Sequence, residues 1–171
     1  MSHFGRLIWV CAAVAGGSFG YLLWLSLAYL TLETGEKPFD SYLFGMPVAT
    51  AQQYLTDLPG AARAIYLGPF RVWDTVLPLA ICLGLSGVIW QHTVGAGRFV
   101  LLLLPLGYLG ADYGENARVA AVLAAQNMPD DQTLAAIGAL TRMKMLALIC
   151  AAIAAIWVWR LDRGYTGQKQ G

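Results

Sequence analysis

No charged residue interrupts the chain from Leu7 to Leu32, a run longer than the roughly 20 apolar residues that cross a hydrocarbon core. That pattern predicts a first transmembrane helix. A signal peptide would have a shorter apolar stretch and a small-residue cleavage site, which Trp24 to Leu32 does not offer, so the segment is expected to be retained. Three further spans are predicted, at about 70–90, 99–125 and 134–159. The charge-free runs Phe99 to Ala111 and Met145 to Trp159 are too short to cross alone. The charges beside them must therefore enter the membrane. The expected fold is all-α: an integral-membrane antiparallel four-helix bundle, a single membrane domain over residues 1–171.

Between the first two spans, Glu33 to Pro69 forms the one sizeable connection. TGEKPFDSYLFGMP is turn-rich, and VATAQQYLTDLPGAARAIYL has helical spacing on either side of Pro59-Gly60. This predicts a short helix lying on the outer interface, with Tyr42, Tyr54 and Tyr66 at the headgroup level. The loop reads as either a connector or a gating lid.

Composition agrees with the membrane reading. The chain is 58% hydrophobic and only 12% charged, with mean hydropathy +0.57, against about 25% charged in soluble domains. A net charge of +1 gives no reason to expect a nucleic-acid partner, and no block of lysine and arginine marks an anionic-lipid patch. Arg6, Arg98, Arg160, Arg163 and Lys169 fall on one side of a four-span topology, whereas Glu33, Glu36, Asp40, Asp57, Asp130 and Asp131 fall on the other. By the positive-inside rule both termini are expected in the cytoplasm. The three cysteines lie in separate apolar segments without a C-x-x-C and read as packing residues.

Depth and angle then draw the intramembrane charges together. At about 1.5 Å per residue, Asp74, Asp112, Glu115 and Lys144 come out roughly 21 to 25 Å from the cytoplasmic ends of three different helices. All four are expected in one layer in the outer half of the bilayer, with Arg71, Arg118 and Arg142 nearer the surface. At 100° per residue, Tyr108, Asp112, Glu115 and Asn116 share one face of the third helix. Gly107, Gly110, Gly114, Ala117, Ala121 and Ala125 share the opposite face. Such a stripe admits a close neighbour, which would make the third helix the central element, paired through Ala12, Gly16 and Gly20 or through Ala147, Ala151 and Ala155. Pro78 lacks an N–H and frees the carbonyl of Asp74. Asp74 thus offers a carboxylate and a backbone acceptor.

The site residues so identified are Asp74, Asp112, Glu115, Asn116, Lys144, Arg71, Arg118 and Tyr108. Three carboxylates with one lysine leave a net charge deficit, to be met by arginines bending inward, by protons or by a bound cation. Charged groups in mid-membrane cost at least ~2.5 to 3.5 kcal/mol on insertion scales and are usually paired. A salt-bridge network that only fixes helix register is the competing account. H-E-x-x-H, G-x-S-x-G and P-loop motifs are absent, and His3 and His92 lie at helix ends. Asp112, Glu115 and Asn116 could hold Mg²⁺ together with Asp74, a weak motif, and no cofactor is predicted.

The aspartate before the proline in VWDTVLP, the D-x-x-E-N of ADYGEN and the lysine of TRMKMLAL resemble a group of small bacterial four-helix membrane proteins of unassigned function. The resemblance runs from the loop helix to the fourth span. It implies the fold and a bacterial inner membrane, and no reaction. Three functions remain open. One is binding or transfer of a small polar solute, cation or lipid headgroup. Another is an accessory subunit of a larger membrane complex or a homo-oligomer, with the charges as a lock. The third is a metal-dependent lipid-modifying enzyme.

Overall fold

The structure, a computed structural model, describes residues 3–125 and 127–168, with side chains for 4–125 and 127–162. Lys169 and the side chain of Arg163, used above for orientation, lie outside the described residues. Helix α1 (His3–Leu25) continues through a π-helical stretch, Ser26–Thr31, into the short α2 (Leu32–Thr34). Gly35 ends it with φ 73°, its N–H reaching the Thr31 carbonyl at 2.8 Å, a left-handed stop that glycine adopts without steric penalty. The loop makes a 3₁₀ turn at Phe39–Ser41 before α3 (Val48–Asp57) and α4 (Gly60–Ile65). Pro59-Gly60 separates these two, so the single short helix expected over this stretch is divided in two. A π-helical stretch, Tyr66–Phe70, joins α4 to α5 (Arg71–His92), and α6 (Gly97–Ala124) and α7 (Asp131–Gln168) complete the chain. No strand occurs among the described residues.

Three helical stretches, Phe4–Thr34, Gly60–His92 and Asp131–Asp162, are long and apolar enough to cross a membrane. Helix α6 is long enough but carries Asp112, Glu115, Asn116 and Arg118, which lower its hydropathy. Large apolar side chains such as Trp9, Phe19, Val72, Leu103 and Ile153 are exposed while carboxylates are buried. That distribution suits lipid outside and polar contacts inside.

Helix α5 is the central element, packing against α1, α6 and α7. This corrects the central placement of the third span. A Cβ at Gly16, Gly20, Gly107 or Gly110 would meet nothing within 4 Å, and only Gly114 of the α6 stripe approaches a neighbour, Leu140 at 3.9 Å. The close helix contact is made by α5 instead: a Cβ at Gly87 would lie 3.1 Å from Ile8, and one at Gly84 3.5 Å from Cys11. Helical period told which residues share a face but not which face another helix covers. Of the other proposed stripe, Ala151 and Ala155 are buried.

Two apolar cores occupy opposite ends. The larger joins Leu22, Leu25, Leu30, Phe39, Tyr54, Tyr66, Phe70, Val119, Leu123, Leu134 and Ile137 from the helix ends and the long loop. The smaller joins Ile89, Ala155 and Val158. Tyr54 and Tyr66 are wholly buried, so two of the three tyrosines expected at headgroup level instead fill the core, Tyr54 edge-on to Phe39 and Tyr66 to Phe70. Only Tyr42 stays partly exposed, bonded to Glu36 at 2.8 Å. The loop docks on α7 where Gly45, at φ 85°, leaves no room for a side chain: a Cβ there would lie 2.7 Å from the Gly138 backbone. Arg142 donates to the Phe44 carbonyl at 3.3 Å across the same contact.

Candidate functional site

Lys144 is the hub of the buried charges. Its Nζ lies 2.6 Å from Glu115 Oε2 and 3.1 Å from Asp112 Oδ1. Glu115 is 0% exposed and Lys144 only 8%. The other Glu115 oxygen accepts from the Thr141 hydroxyl at 2.6 Å, one turn of α7 before Lys144. Asn116 Nδ2 donates to Asp112 Oδ2 at 3.0 Å. One turn of α6 and one turn of α7 thus supply an interlocked set, as expected for residues spaced three or four apart.

Helix α5 enters through Asp74, whose Oδ2 accepts from Arg71 Nη1 at 3.0 Å. The guanidinium bends inward to the carboxylate instead of extending to the surface. Asn116 Nδ2 also approaches the Asp74 carbonyl at 3.4 Å, a long contact to the oxygen that Pro78 leaves without a helical donor. Tyr113 donates to the neighbouring Thr75 carbonyl at 3.1 Å. Both bonds hold α6 against the proline-weakened turn of α5.

Of the sequence-identified residues, Asp74, Asp112, Glu115, Asn116, Lys144 and Arg71 come together, and Tyr108 is buried one turn from Asp112. Arg118 does not join them. It is exposed, in a shallow pocket with Asp130, Gln132, Thr133 and Ala136.

Asp40 is a member that sequence spacing missed. The loop folds back so that Asp40 Oδ2 accepts from the buried Tyr66 hydroxyl at 2.6 Å. There the carboxylate lies within electrostatic reach of Asp74, Asp112, Glu115 and Lys144. Burial, helped by Asp40, holds the Tyr54 phenol of α3 well above its ordinary value, so it stays a neutral donor. Asp40 Oδ1, Tyr54 Oη, Asn116 Oδ1 and Arg71 Nε and Nη2 are buried without a hydrogen-bond partner. Three buried acids, Asp74, Asp112 and Glu115, therefore face two bases, Arg71 and Lys144, with the half-buried Asp40 behind Tyr66 and polar atoms of both kinds to spare.

Among the described residues, no three histidine, cysteine, aspartate or glutamate side chains converge as a metal-ligand set. Asp112 and Glu115 turn their oxygens to Lys144, Asn116 and Thr141, which removes the geometric support for a Mg²⁺ site there. Comparison with protein families, curated proteins and solved structures found no match.

Proposed function

We propose that the chain is a multi-pass, antiparallel four-helix membrane bundle whose polar layer binds a small cation, protons being the simplest case. The long loop closes the layer on its outer side, and both termini lie in the cytoplasm of a bacterial inner membrane. The observation that carries this reading is the excess of acids in a buried layer. One uncompensated negative charge among the buried acids, with the half-buried Asp40 beside it, would cost several kcal/mol in a low-dielectric interior, so the layer must take up positive charge. Unpartnered acceptors on Asp40 and Asn116 give a small cation or hydrated proton somewhere to bind. The layer lies between two apolar cores, and a solute of drug size would have to displace one of them. That favours a small cation over a lipid headgroup.

Linkage supplies the test. A proton bound in the fold and released on unfolding makes stability rise as pH falls, by about 1.4 kcal/mol per pH unit for each proton. Purified protein should melt higher as pH is lowered through the near-neutral range, or on adding a monovalent cation at high pH. Asp74→Asn and Asp112→Asn should flatten the dependence, and an infrared band of a protonated carboxyl should diminish in one of them. Identical pH and cation dependence in wild type and both variants would refute the reading. Reporter fusions at Gly95 and Gly35 test the orientation: Gly95 should report the cytoplasm and Gly35 the outer side.

A second reading, an accessory or assembly subunit with the charges as a lock, is favoured by the uncovered glycine faces of α1 and α6. Small-residue faces admit close helix neighbours in membranes. Recovery of the chain as a fixed-stoichiometry complex, together with a pH-independent melt, would select it.

A further inference from the structure

At the end of the fold away from the charge layer, a pocket of about 480 Å³ opens where the α5–α6 turn meets α7. Leu101, Trp157 and Leu161 form its apolar wall, and His92, Thr93 and Arg98 form its polar rim. The wall is continuous with a large exposed apolar surface: Phe99, Val100, Leu103 and Ile153 are all exposed.

The rim carries one fixed guanidinium, that of Arg98. Arg98 donates through Nε at 2.9 Å, and through Nη2, to the Thr93 carbonyl. Its guanidinium stacks on the Trp90 indole, 4.1 Å from the ring centroid. That bidentate bond leaves Nη1 out and fixes the group in place, so little ordering entropy is lost when an anion binds. Helix α6 starts beside it at Gly97 with no side-chain cap, and the positive end of a long helix dipole favours an anion at the same point. Asp162 pairs with the rim residue His92 at 2.8 Å.

We propose that this pocket binds one phospholipid of the surrounding bilayer. Its anionic phosphate headgroup would lie at Arg98 and the start of α6, with an acyl chain along Leu101, Trp157 and Leu161. The chemistry is that of a built pocket and not of a lysine-arginine run. A free phosphate would gain nothing from the apolar wall, whereas an acyl chain keeps there the apolar surroundings it has in the bilayer. The proposal rests on the membrane reading and is independent of the cation layer.

The test uses the full chain in mild detergent, with phosphatidylglycerol, phosphatidylcholine or inorganic phosphate added, followed by native mass spectrometry and thermal melting. One phosphatidylglycerol should be retained per chain, with phosphatidylcholine about tenfold weaker, as expected for one charge-assisted contact. Inorganic phosphate should have no effect. Arg98→Gln should abolish the preference. Because Arg98 also fastens Thr93, Val100→Trp provides a second arm: it crowds the exposed pocket wall, and should lose the lipid while melting like wild type in lipid-free detergent. Equal retention of both lipids, a response to phosphate alone, or wild-type retention in both variants would overturn the proposal. Extraction of the chain from membranes by carbonate would overturn the membrane reading, and the lipid site with it.

Discussion

Replacing Lys144 with methionine removes the one cation that touches two buried carboxylates. Its Nζ is 2.6 Å from Glu115 and 3.1 Å from Asp112, and breaking a buried pair from one side costs about 3 to 5 kcal/mol. Two acids are orphaned here, so Lys144→Met should fall at the upper end, about 5 kcal/mol. Asp112→Asn is milder. Lys144 keeps Glu115, and the new amide can still accept from Lys144 or Asn116, so the loss should be about 1 to 3 kcal/mol. A simple two-residue lock would let Asp112→Asn combined with Lys144→Met recover most of the stability. The observed three-way bridge predicts otherwise, because Glu115 stays buried with only Thr141 to bond it. Recovery should require the third change, Glu115→Gln. Equilibrium unfolding in mixed micelles of all eight combinations gives the coupling energies. The 115–144 coupling should exceed the 112–144 coupling. Full recovery in the 112/144 double variant, or a Lys144→Met loss under about 1 kcal/mol, would show that Glu115 is not held by Lys144.

Helix packing, loop closure and capping give three further predictions. Gly110→Leu should leave the melting temperature near wild type, since nothing lies within 4 Å of its Cβ, whereas Gly87→Leu should overpack against Ile8 and cost about 1 to 3 kcal/mol; equal losses would mean that α5 is not the close-packed helix. Tyr66→Phe removes the donor to Asp40 and should loosen the loop, measured as faster chymotryptic cleavage after the exposed Phe44 in protein that remains folded; an unchanged rate would mean that Asp40 does not hold the loop down. Asp130 caps α7 by accepting from the Thr133 N–H at 2.6 Å, which lowers its carboxyl from the ordinary 3.8. A depressed carboxyl contributes stability that is present above its unfolded value and is lost as pH falls through its folded value. Asp130→Ala should therefore lower the neutral-pH melting temperature and flatten the acid limb below pH 3.8, and an acid limb identical to wild type would refute the cap.

The polar face of α6 was legible because Tyr108, Asp112, Glu115 and Asn116 belong to one helix, where 100° per residue fixes their relation. Lys144 and Asp74 were legible for a different reason: the membrane imposes a common ruler on separate helices, so position along each converts to depth. Neither argument reaches a loop. Asp40 stands in a turn whose path depends on Phe39 burying itself beside Tyr54 and on Gly45 meeting Gly138, contacts between segments remote in sequence. The one hint was Pro-Phe-Asp-Ser-Tyr itself, an aromatic-rich stretch inside an otherwise polar turn. The tyrosines misled for a related reason. An amphipathic ring suits the headgroup level, but it suits a core equally when its hydroxyl finds a buried acceptor, as Tyr66 does in Asp40.

Asp40 also bears on the direction from which the layer can exchange its charge. On the side of the α5–α6 turn, the layer is closed by Ile89, Ala155 and Val158, side chains carried by long helices that would have to separate as rigid bodies. On the other side, the seal is the long loop, held by Phe39, Tyr54 and Leu55 in the larger apolar core and by the bonds of Tyr66 to Asp40, Gln52 to Asp131 and Arg142 to Phe44. Opening the turn around Asp40 would uncover Phe39 but move none of the long helices, so it costs less than separating them. The same opening would carry the half-buried Asp40 away from the layer. In the cation-binding reading, release and loop opening are therefore one event: losing the Asp40 charge weakens the hold on the cation at the moment a path to the outer side appears. That coupling predicts that Tyr66→Phe moves loop cleavage and the pH dependence of stability together, whereas a loop that merely connects two spans would change the first and leave the second untouched.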